Sequence, residues 1–288
     1  MPDDANRAAV TPNPARLAEL RARIDVIDAE MHRLLMERAS VIDALIAAKG
    51  TSLSAGAFRP GREADMMRRI AARHGGTLPL ATVEHLWREI IGTFTYLQAP
   101  YRAHVAGLAD ADGGMRDLAR YSVGFSVPLV AQPDAAAAVA AVVADPRDLA
   151  LVPLVATVAR PWWDGLSADG ARVMARLPFL VLADRPAATP AVVVSAAVAD
   201  EGRPDVACLT AVFPSGLDAA LLAARGIEVL SATEAPRPAA LVAAAGASED
   251  AATALAALGA VDIRAAGGYA APLILSTSDR PSTDEQQP

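Results

Sequence analysis

The chain has 288 residues, 53% of them hydrophobic, and a formal net charge of −7. This length suits one large domain or two ordinary ones, and the hydrophobic content excludes a wholly disordered chain. The negative charge argues against a nucleic-acid-binding protein, which normally has a basic face, but it permits a small anion-binding pocket.

The chain begins with a polar, proline-containing segment that has no apolar core. We therefore expect residues 1–14 to be disordered and not a secretory signal. No apolar run is long enough to span a membrane, so the sequence predicts a soluble cytoplasmic protein. Cys208 is the only cysteine and the four histidines are scattered without ligand spacing, so no metal site is predicted.

Residues 15–104 are predicted to be helical, with one long helix followed by shorter helices at about 61–74 and 81–101. Positions three and four residues apart in the long helix form a heptad seam: Leu17, Leu20, Ile24, Ile27, Met31, Leu34, Arg38, Val41 and Leu45. A helix of this length spans roughly 50 Å and cannot bury its seam against itself. The pattern therefore predicts packing against a second subunit.

Two cations at the end of this helix are unusual. Arg38 occupies a seam position where an apolar residue is expected, and Lys49 is the only lysine in the chain. They are eleven residues apart, which places them about 20° apart around a helix. A buried arginine needs a negative partner, which could be a glutamate of the bundle or a bound anion. Lys49 could instead only cap the helix.

Three ordered segments within 17–101 resemble the small all-helical chorismate mutases of aromatic amino-acid biosynthesis. They are LAELRARIDVIDAEMHRLLMERASVIDALIAAKG, FRPGREADMMRRI and LWREIIGTFTYLQ. The resemblance implies a homodimer of intertwined three-helix chains in which both chains build each active site. It also implies that chorismate rearranges to prephenate without a cofactor or a metal.

The same resemblance implies roles for individual residues. Arg21 matches the arginine that reaches into the partner's site, Arg38 the carboxylate-binding arginine of the same chain, and Lys49 the catalytic lysine. Guanidinium groups bind carboxylates with two hydrogen bonds, whereas a compact ammonium suits the ether oxygen that becomes negative in the transition state.

The shorter helices supply the remaining candidates. Arg62 and Glu63 match the arginine–glutamate pair that opens the second helix, and Gln98 matches the polar residue of the third. Glu63 is expected to orient the ring hydroxyl and Gln98 to donate to the ether oxygen. Arg59 replaces an aspartate of some relatives and Phe94 a serine, which puts substrate affinity in doubt more than activity.

A different pattern follows. Residues 105–118 include the glycine- and aspartate-rich GLADADGGMRD and are predicted to be a linker. In residues 119–275, short valine-rich strands alternate with alanine-rich helices, including predicted helices at 133–145 and 168–177. From 206 onward the predicted order is βαββαβ, the ferredoxin-like arrangement. Residues 276–288 have the composition of a disordered tail.

This second half resembles a reduced prephenate dehydratase followed by a regulatory ACT domain. In PSGLDAALLAARGIEVLSATEAPRP, part of the ACT pattern is kept, which makes candidate effector-binding residues of Gly216, Leu217, Glu234 and Arg237. Ordinary turn and capping roles explain them equally well. The segment LPF at 177–179 stands where dehydratases have Thr-Arg-Phe with an essential threonine, so we expect no dehydratase activity.

The sequence thus predicts a chorismate mutase with a non-catalytic C-terminal half that is regulatory or structural. One alternative is a bifunctional chorismate mutase/prephenate dehydratase. Another is a sensor that binds an aromatic metabolite and catalyses nothing. The sequence leaves open whether an aromatic amino acid binds the second half and whether the dimer assembles further.

Overall fold

The computed structural model describes residues 13–49, 58–183, 185–196, 204–234 and 237–275, with the backbone alone for Lys49. The chain divides into two compact units, Met1–Thr51 and Ser52–Pro288. This division differs from the linker expected at 105–118. Half of that stretch is regular structure of the second unit, since a strand ends at Ala106 and a helix begins at Gly114. Only the short turn between them has the glycine-rich character of a linker.

The described residues of the first unit form one helix, α1 (Pro14–Lys49), as the heptad seam predicts. The side chain of Asn13 accepts a hydrogen bond from the Arg16 amide at 3.1 Å, and Pro14 takes the first helical position. Both are favourable at a helix N-terminus. The seam remains between 40% and 61% exposed at Leu17, Leu20, Ile24, Ile27, Met31, Leu34 and Val41. Such a stripe needs another surface to cover it.

The second unit opens with two helices, α2 (Pro60–Arg73) and α3 (Leu80–Gln98), close to their predicted bounds. Their shared core includes Met67 and Ile70 of α2 and Ile91 of α3. This core continues into Phe179 and Leu180, which lie far along the chain. The two helices therefore pack against the C-terminal half.

The rest of the second unit is built around a nine-stranded sheet in the part of the chain that the structure describes. Its strands are β1 (Ala103–Ala106), β2 (Leu129–Gln132), β3 (Leu149–Pro153), β4 (Ala171–Leu177), β6 (Ala191–Ala196), β7 (Val206–Val212), β8 (Ile227–Thr233), β9 (Ala239–Ala245) and β10 (Val261–Tyr269), and β5 (Leu180–Val181) pairs separately with β11 (Leu273–Ile274). The helices are α4 (Gly114–Val123), α5 (Ala135–Ala144), α6 (Ala219–Ala223) and α7 (Ser248–Ala257), with a 3-10 helix at Trp162–Gly165.

The strand order is β2-β1-β3-β6-β4-β10-β7-β9-β8. The first three strands are parallel, with α4 and α5 as crossovers, and β6 runs antiparallel between β3 and β4. The last four strands in this order are antiparallel to one another and, with α6 and α7, follow the order βαββαβ along the chain. The second half is thus a mixed α/β structure on one sheet.

The two parts of the sheet meet where Gly267 of β10 pairs with Val173 of β4. Gly267 has φ +111, and a Cβ atom there would lie 2.2 Å from the Val173 carbonyl oxygen. Only glycine fits this junction. The helix predicted at 168–177 was wrong, because residues 171–177 form strand β4, which pairs with β6 and β10 in the sheet.

Helices cover both faces of the sheet. On one face α4 packs through Leu118 onto Leu149 and Leu151, and α7 packs through Leu255 onto the strands of the antiparallel part. On the other face α5 packs together with Trp162 and Trp163. None of the described helices is long and apolar enough to cross a membrane.

Helix α3 approaches α4 closely at Gly92. A Cβ atom on Gly92 would lie 2.1 Å from the carbonyl oxygen of Val123, the last residue of α4. We expect Gly92→Ala to lower the free energy of unfolding by about 1–3 kcal/mol, the usual cost of overpacking. Urea denaturation of the purified chain measures this difference.

Gly61→Ala is the matched control, since a Cβ atom on Gly61 in α2 meets no atom within 4 Å. In an open helical position alanine is favoured over glycine by up to about 1 kcal/mol. A Gly92→Ala variant that gains stability as Gly61→Ala does would contradict the close approach of α3 and α4.

Candidate active site

Three candidate active-site residues lie on α1, but they are spread along the length of the helix. Arg38 and Lys49 are eleven residues apart, so they lie on the same side of the helix, as expected from the sequence. The side chain of Lys49 lies outside the described residues, so its role stays a prediction. Arg21 is exposed and lies seventeen residues before Arg38, about 25 Å along the axis at 1.5 Å per residue. One small substrate cannot touch Arg21 and Arg38 of the same straight helix.

The candidates on α2 are adjacent in sequence but differ in environment. Arg62 is exposed, whereas the side chain of Glu63 is only 14% exposed. Glu63 forms a salt bridge with Arg88 of α3, whose Nη1 lies 3.0 Å from the Glu63 Oε2. Because this link joins α2 to α3, it holds the Glu63 carboxylate in place from the neighbouring helix.

Gln98 ends α3, and its Nε2 donates a hydrogen bond to the carbonyl oxygen of Phe94 at 3.0 Å. An amide nitrogen carries two donors, so one N–H group of Gln98 is left for a ligand. The end of α3 also lies near Glu63. Burial, and then the Glu63 carboxylate, raise the pKa of the Tyr101 phenol, three residues beyond Gln98. The structure thus places Glu63, Arg88 and the end of α3 in one region.

Arg88 also belongs to a buried charge network that the sequence did not predict. Glu84, one turn earlier on α3, is 0% exposed, and its Oε1 lies 3.8 Å from the Nε of Arg88. Arg185, 101 residues further along the chain, donates to both oxygens of Glu84, at 3.0 and 3.3 Å. The network alternates in sign from Arg185 through Glu84 and Arg88 to Glu63, so each buried charge is compensated.

Tyr121 of α4 completes the surroundings of Glu84. Its hydroxyl lies 2.6 Å from the Ala81 carbonyl oxygen and 3.2 Å from Glu84 Oε2, and its ring lies 4.1 Å from the guanidinium carbon of Arg185. Burial, followed by the charge of Glu84, raises the pKa of this phenol. The C-terminal half therefore contributes two groups that fix α3, and through Arg88 it reaches Glu63.

A signal for this network was present in the sequence. The buried stripe of α3 has the spacing of a heptad seam and carries two charges, at Glu84 and Arg88, before Ile91 and Thr95. Arg38 was singled out for the same reason on α1. Charged residues in a seam indicate either an internal pair or a ligand, and in α3 the structure shows an internal pair.

The candidate effector residues gather at one end of the antiparallel part of the sheet. There β7 ends at Val212 and β8 at Thr233, and both pair with Ala239, the first residue of β9. The loops at this end carry Gly216, Leu217, Glu234 and Arg237. Arg237 forms a salt bridge with Asp262 of β10, which gives this arginine a structural role. Residues 235–236 lie outside the described residues.

Comparison with known proteins concerns the N-terminal part of the chain. Residues 20–99 match the sequence profile of the family described as chorismate mutase type II. These residues are a chorismate mutase type II domain. All six candidates on α1, α2 and α3 lie within the matched residues: Arg21, Arg38, Lys49, Arg62, Glu63 and Gln98.

A curated relative agrees with this assignment. The chain is 40% identical over 80 residues to a bifunctional chorismate mutase/prephenate dehydratase of Neisseria gonorrhoeae (strain ATCC 700825 / FA 1090). The matched residues are 28% of this chain and 21% of that protein, so the chain spans about a fifth of the relative's length. No solved structure matches the chain.

Among the residues that the structure describes, no group of three or more His, Cys, Asp or Glu side chains could hold a metal ion. The six candidate residues on α1, α2 and α3 instead offer three arginines, one lysine, one carboxylate and one amide. These groups can bind carboxylates, donate to a developing negative charge and accept from a hydroxyl.

Proposed function

We propose that the chain is a chorismate mutase, an isomerase of phenylalanine and tyrosine biosynthesis that works in the cytoplasm. The match over residues 20–99, with all six catalytic and substrate-binding candidates inside it, carries this proposal. Chorismate is a dicarboxylate that rearranges to prephenate within one molecule. Catalysis of such a step comes from holding the reactive conformer and from stabilising the charge of the transition state.

Each active site is shared between two copies of the chain in a homodimer. Two observations support this. The apolar seam of α1 is largely exposed in the single chain, and Arg21 lies about 25 Å along the helix from Arg38. A second copy covers the seam and brings its own Arg21 to the site that contains Arg38 and Lys49.

The roles follow from the chemistry of each group. Arg38 and the partner subunit's Arg21 hold the two carboxylates, and Arg62 adds positive charge at the start of α2. Lys49 and Gln98 donate to the ether oxygen as its bond breaks. Glu63 accepts from the ring hydroxyl of the substrate, and Arg88 is its positioning residue.

The mutase domain occupies residues 15–104, and residues 119–275 form a non-catalytic domain that is regulatory or structural. The strand order β10-β7-β9-β8, with all neighbours antiparallel, supports a ferredoxin-like unit of the ACT type over Val206–Tyr269. The relative's name favours the bifunctional alternative. The absence of the Thr-Arg-Phe motif from LPF at 177–179 favours the mutase alone.

Product analysis tests the proposal. We expect the purified chain to convert chorismate into prephenate and to form no phenylpyruvate from added prephenate at neutral pH, beyond acid breakdown in a protein-free control. Phenylpyruvate formation would instead establish the bifunctional enzyme. Unchanged chorismate together with binding of an aromatic amino acid would establish the sensor.

The role of Gln98 predicts a characteristic pH dependence. A glutamic acid can donate a hydrogen bond only while it is protonated, and its carboxylate would repel the negative ether oxygen. Gln98→Glu should therefore retain activity at low pH and lose it as pH rises above the usual glutamate range. The measurement is kcat/KM against pH. Gln98→Leu, which lacks the donor at every pH, is the control, and parallel profiles for the two variants would remove Gln98 from the ether-oxygen site.

A further inference from the structure

A cavity of about 630 Å³ lies in the second unit, between α2 and the ends of strands β4, β7 and β10. Its volume is typical of small-molecule sites. The four candidate effector residues lie in loops at the opposite end of β7 and β10, so this cavity is separate from them.

The lining of the cavity is strongly cationic. Five of its residues are arginines and two are aspartates, in a chain whose net charge is −7. Both aspartates contact the same arginine: Arg68 lies 3.0 Å from Asp65 and 2.6 Å from Asp205. Arg62, Arg69 and Arg172 therefore line the cavity without compensation from these two carboxylates.

Three of these arginines form no salt bridge with any residue that the structure describes: Arg62, Arg69 and Arg172. Arg172 is held in place by neutral groups, since its Nη1 lies 3.2 Å from the Ala168 carbonyl oxygen and its Nε 3.2 Å from the Met174 Sδ. Like charges around one volume repel each other, and an anion bound among them removes this repulsion.

Apart from Ser248, the remaining lining is largely apolar. Met174 and Ala265 come from the sheet, and Pro204 and Ala270 lie beside it. Tyr269 adds an aromatic ring. Such a surface offers contact area to a carbon skeleton but nothing to a bare inorganic ion.

We propose that this cavity binds a small organic dianion: guanidinium groups of Arg69 and Arg172 hold its acidic groups, and the apolar lining contacts its carbon body. Carboxylates and phosphate esters share the required chemistry, since both accept two parallel hydrogen bonds from a guanidinium group. Arg62 lines the cavity and precedes Glu63 on α2, so one wall of the site belongs to the proposed mutase domain. It does not depend on mutase activity.

Calorimetric titration of the full-length chain tests the site with three probes: benzene-1,3-dicarboxylate as an organic dianion, inorganic phosphate as a compact anion, and benzoate as a monoanion. We expect saturable binding that is tightest for the dicarboxylate and weakens with salt. Arg69→Gln and Arg172→Gln should each raise its Kd by about tenfold, since charged hydrogen bonds contribute about 1.5–3 kcal/mol and tenfold corresponds to about 1.4 kcal/mol.

Arg73→Gln is the matched control, because Arg73 lies on the same helix, is exposed and does not line the cavity. It should leave the Kd unchanged, and all three variants should keep the mutase rate of the unmodified chain. Equal weakening by Arg73→Gln would show a general charge effect and overturn the site, as would the absence of saturable binding. Phosphate binding as tight as that of the dicarboxylate would refute the organic ligand. If the chain were not a chorismate mutase, the titration would still show whether the cavity binds an organic dianion.

Discussion

Replacing Lys49 by methionine should lower the turnover of chorismate by a factor on the order of 10² to 10³, the usual loss when one donor to a developing oxyanion is removed. The breaking ether bond leaves negative charge on its oxygen, and a compact ammonium is suited to that position. Lys49→Arg should also be impaired, because a planar guanidinium places its charge differently. Steady-state kinetics of the two variants, with circular dichroism to confirm folding, measure the effect.

Chemical modification provides an independent test, because the chain has one lysine. An amine-selective reagent can modify only Lys49 and the N-terminus. Modification should abolish the mutase activity, and a bound transition-state analogue should slow it. Lys49→Met, which retains the N-terminus, is the control for labelling elsewhere. If Lys49 only caps α1, a cation there contributes less than about 1 kcal/mol, and a fully active Lys49→Arg variant with harmless labelling would establish that role.

Glu84→Leu should lower the free energy of unfolding by about 3–5 kcal/mol, the usual cost of breaking a buried ion pair. Glu84 is 0% exposed and compensates Arg185, whose side chain is 2% exposed, so its removal leaves a buried guanidinium without its carboxylate. Urea denaturation of the full-length chain measures the loss. The same reasoning predicts that a fragment ending at residue 104 is destabilised, because it lacks Arg185 and Tyr121.

Two further variants separate the network from general charge effects. Glu37→Gln removes one carboxylate from the exposed pair with Arg33 on α1 and should change stability by less than about 1 kcal/mol. In the double variant Glu84→Leu/Arg185→Met no buried charge of this pair remains, so it should be more stable than the sum of the single losses predicts. Additive losses would show that Glu84 and Arg185 do not interact.

Local patterns in the sequence predicted much of the fold. Helical periodicity was sufficient for α1, α2 and α3, and the valine-rich runs for β3 and β6. At 168–177 the alanine-rich composition suggested a helix, but Val173 and Leu177 are buried in a sheet, and strand pairing overrode helix propensity.

Such local patterns could not predict contacts between residues that are far apart in the sequence. Arg185 meets Glu84 across 101 residues, and Gly267 meets Val173 across the junction of the sheet. No local periodicity encodes either pairing. The basic cavity is similar: Arg69 and Arg172 come from different elements, and only the folded second unit brings them to one volume. The candidates Arg21 and Lys49 came from the family resemblance, since neither periodicity nor composition assigns a catalytic role.

Mixing two inactive variants tests the shared mutase site most directly. Arg21→Ala lacks the arginine that contributes to the active site of the other subunit, and Lys49→Met lacks the lysine of the active site in its own subunit. When equal amounts are unfolded and refolded together, half of the dimers should be mixed, and each mixed dimer should contain one intact site. We predict recovery of about a quarter of the wild-type activity from two nearly inactive proteins. Activity equal to the mean of the separate variants would contradict a site built by two chains.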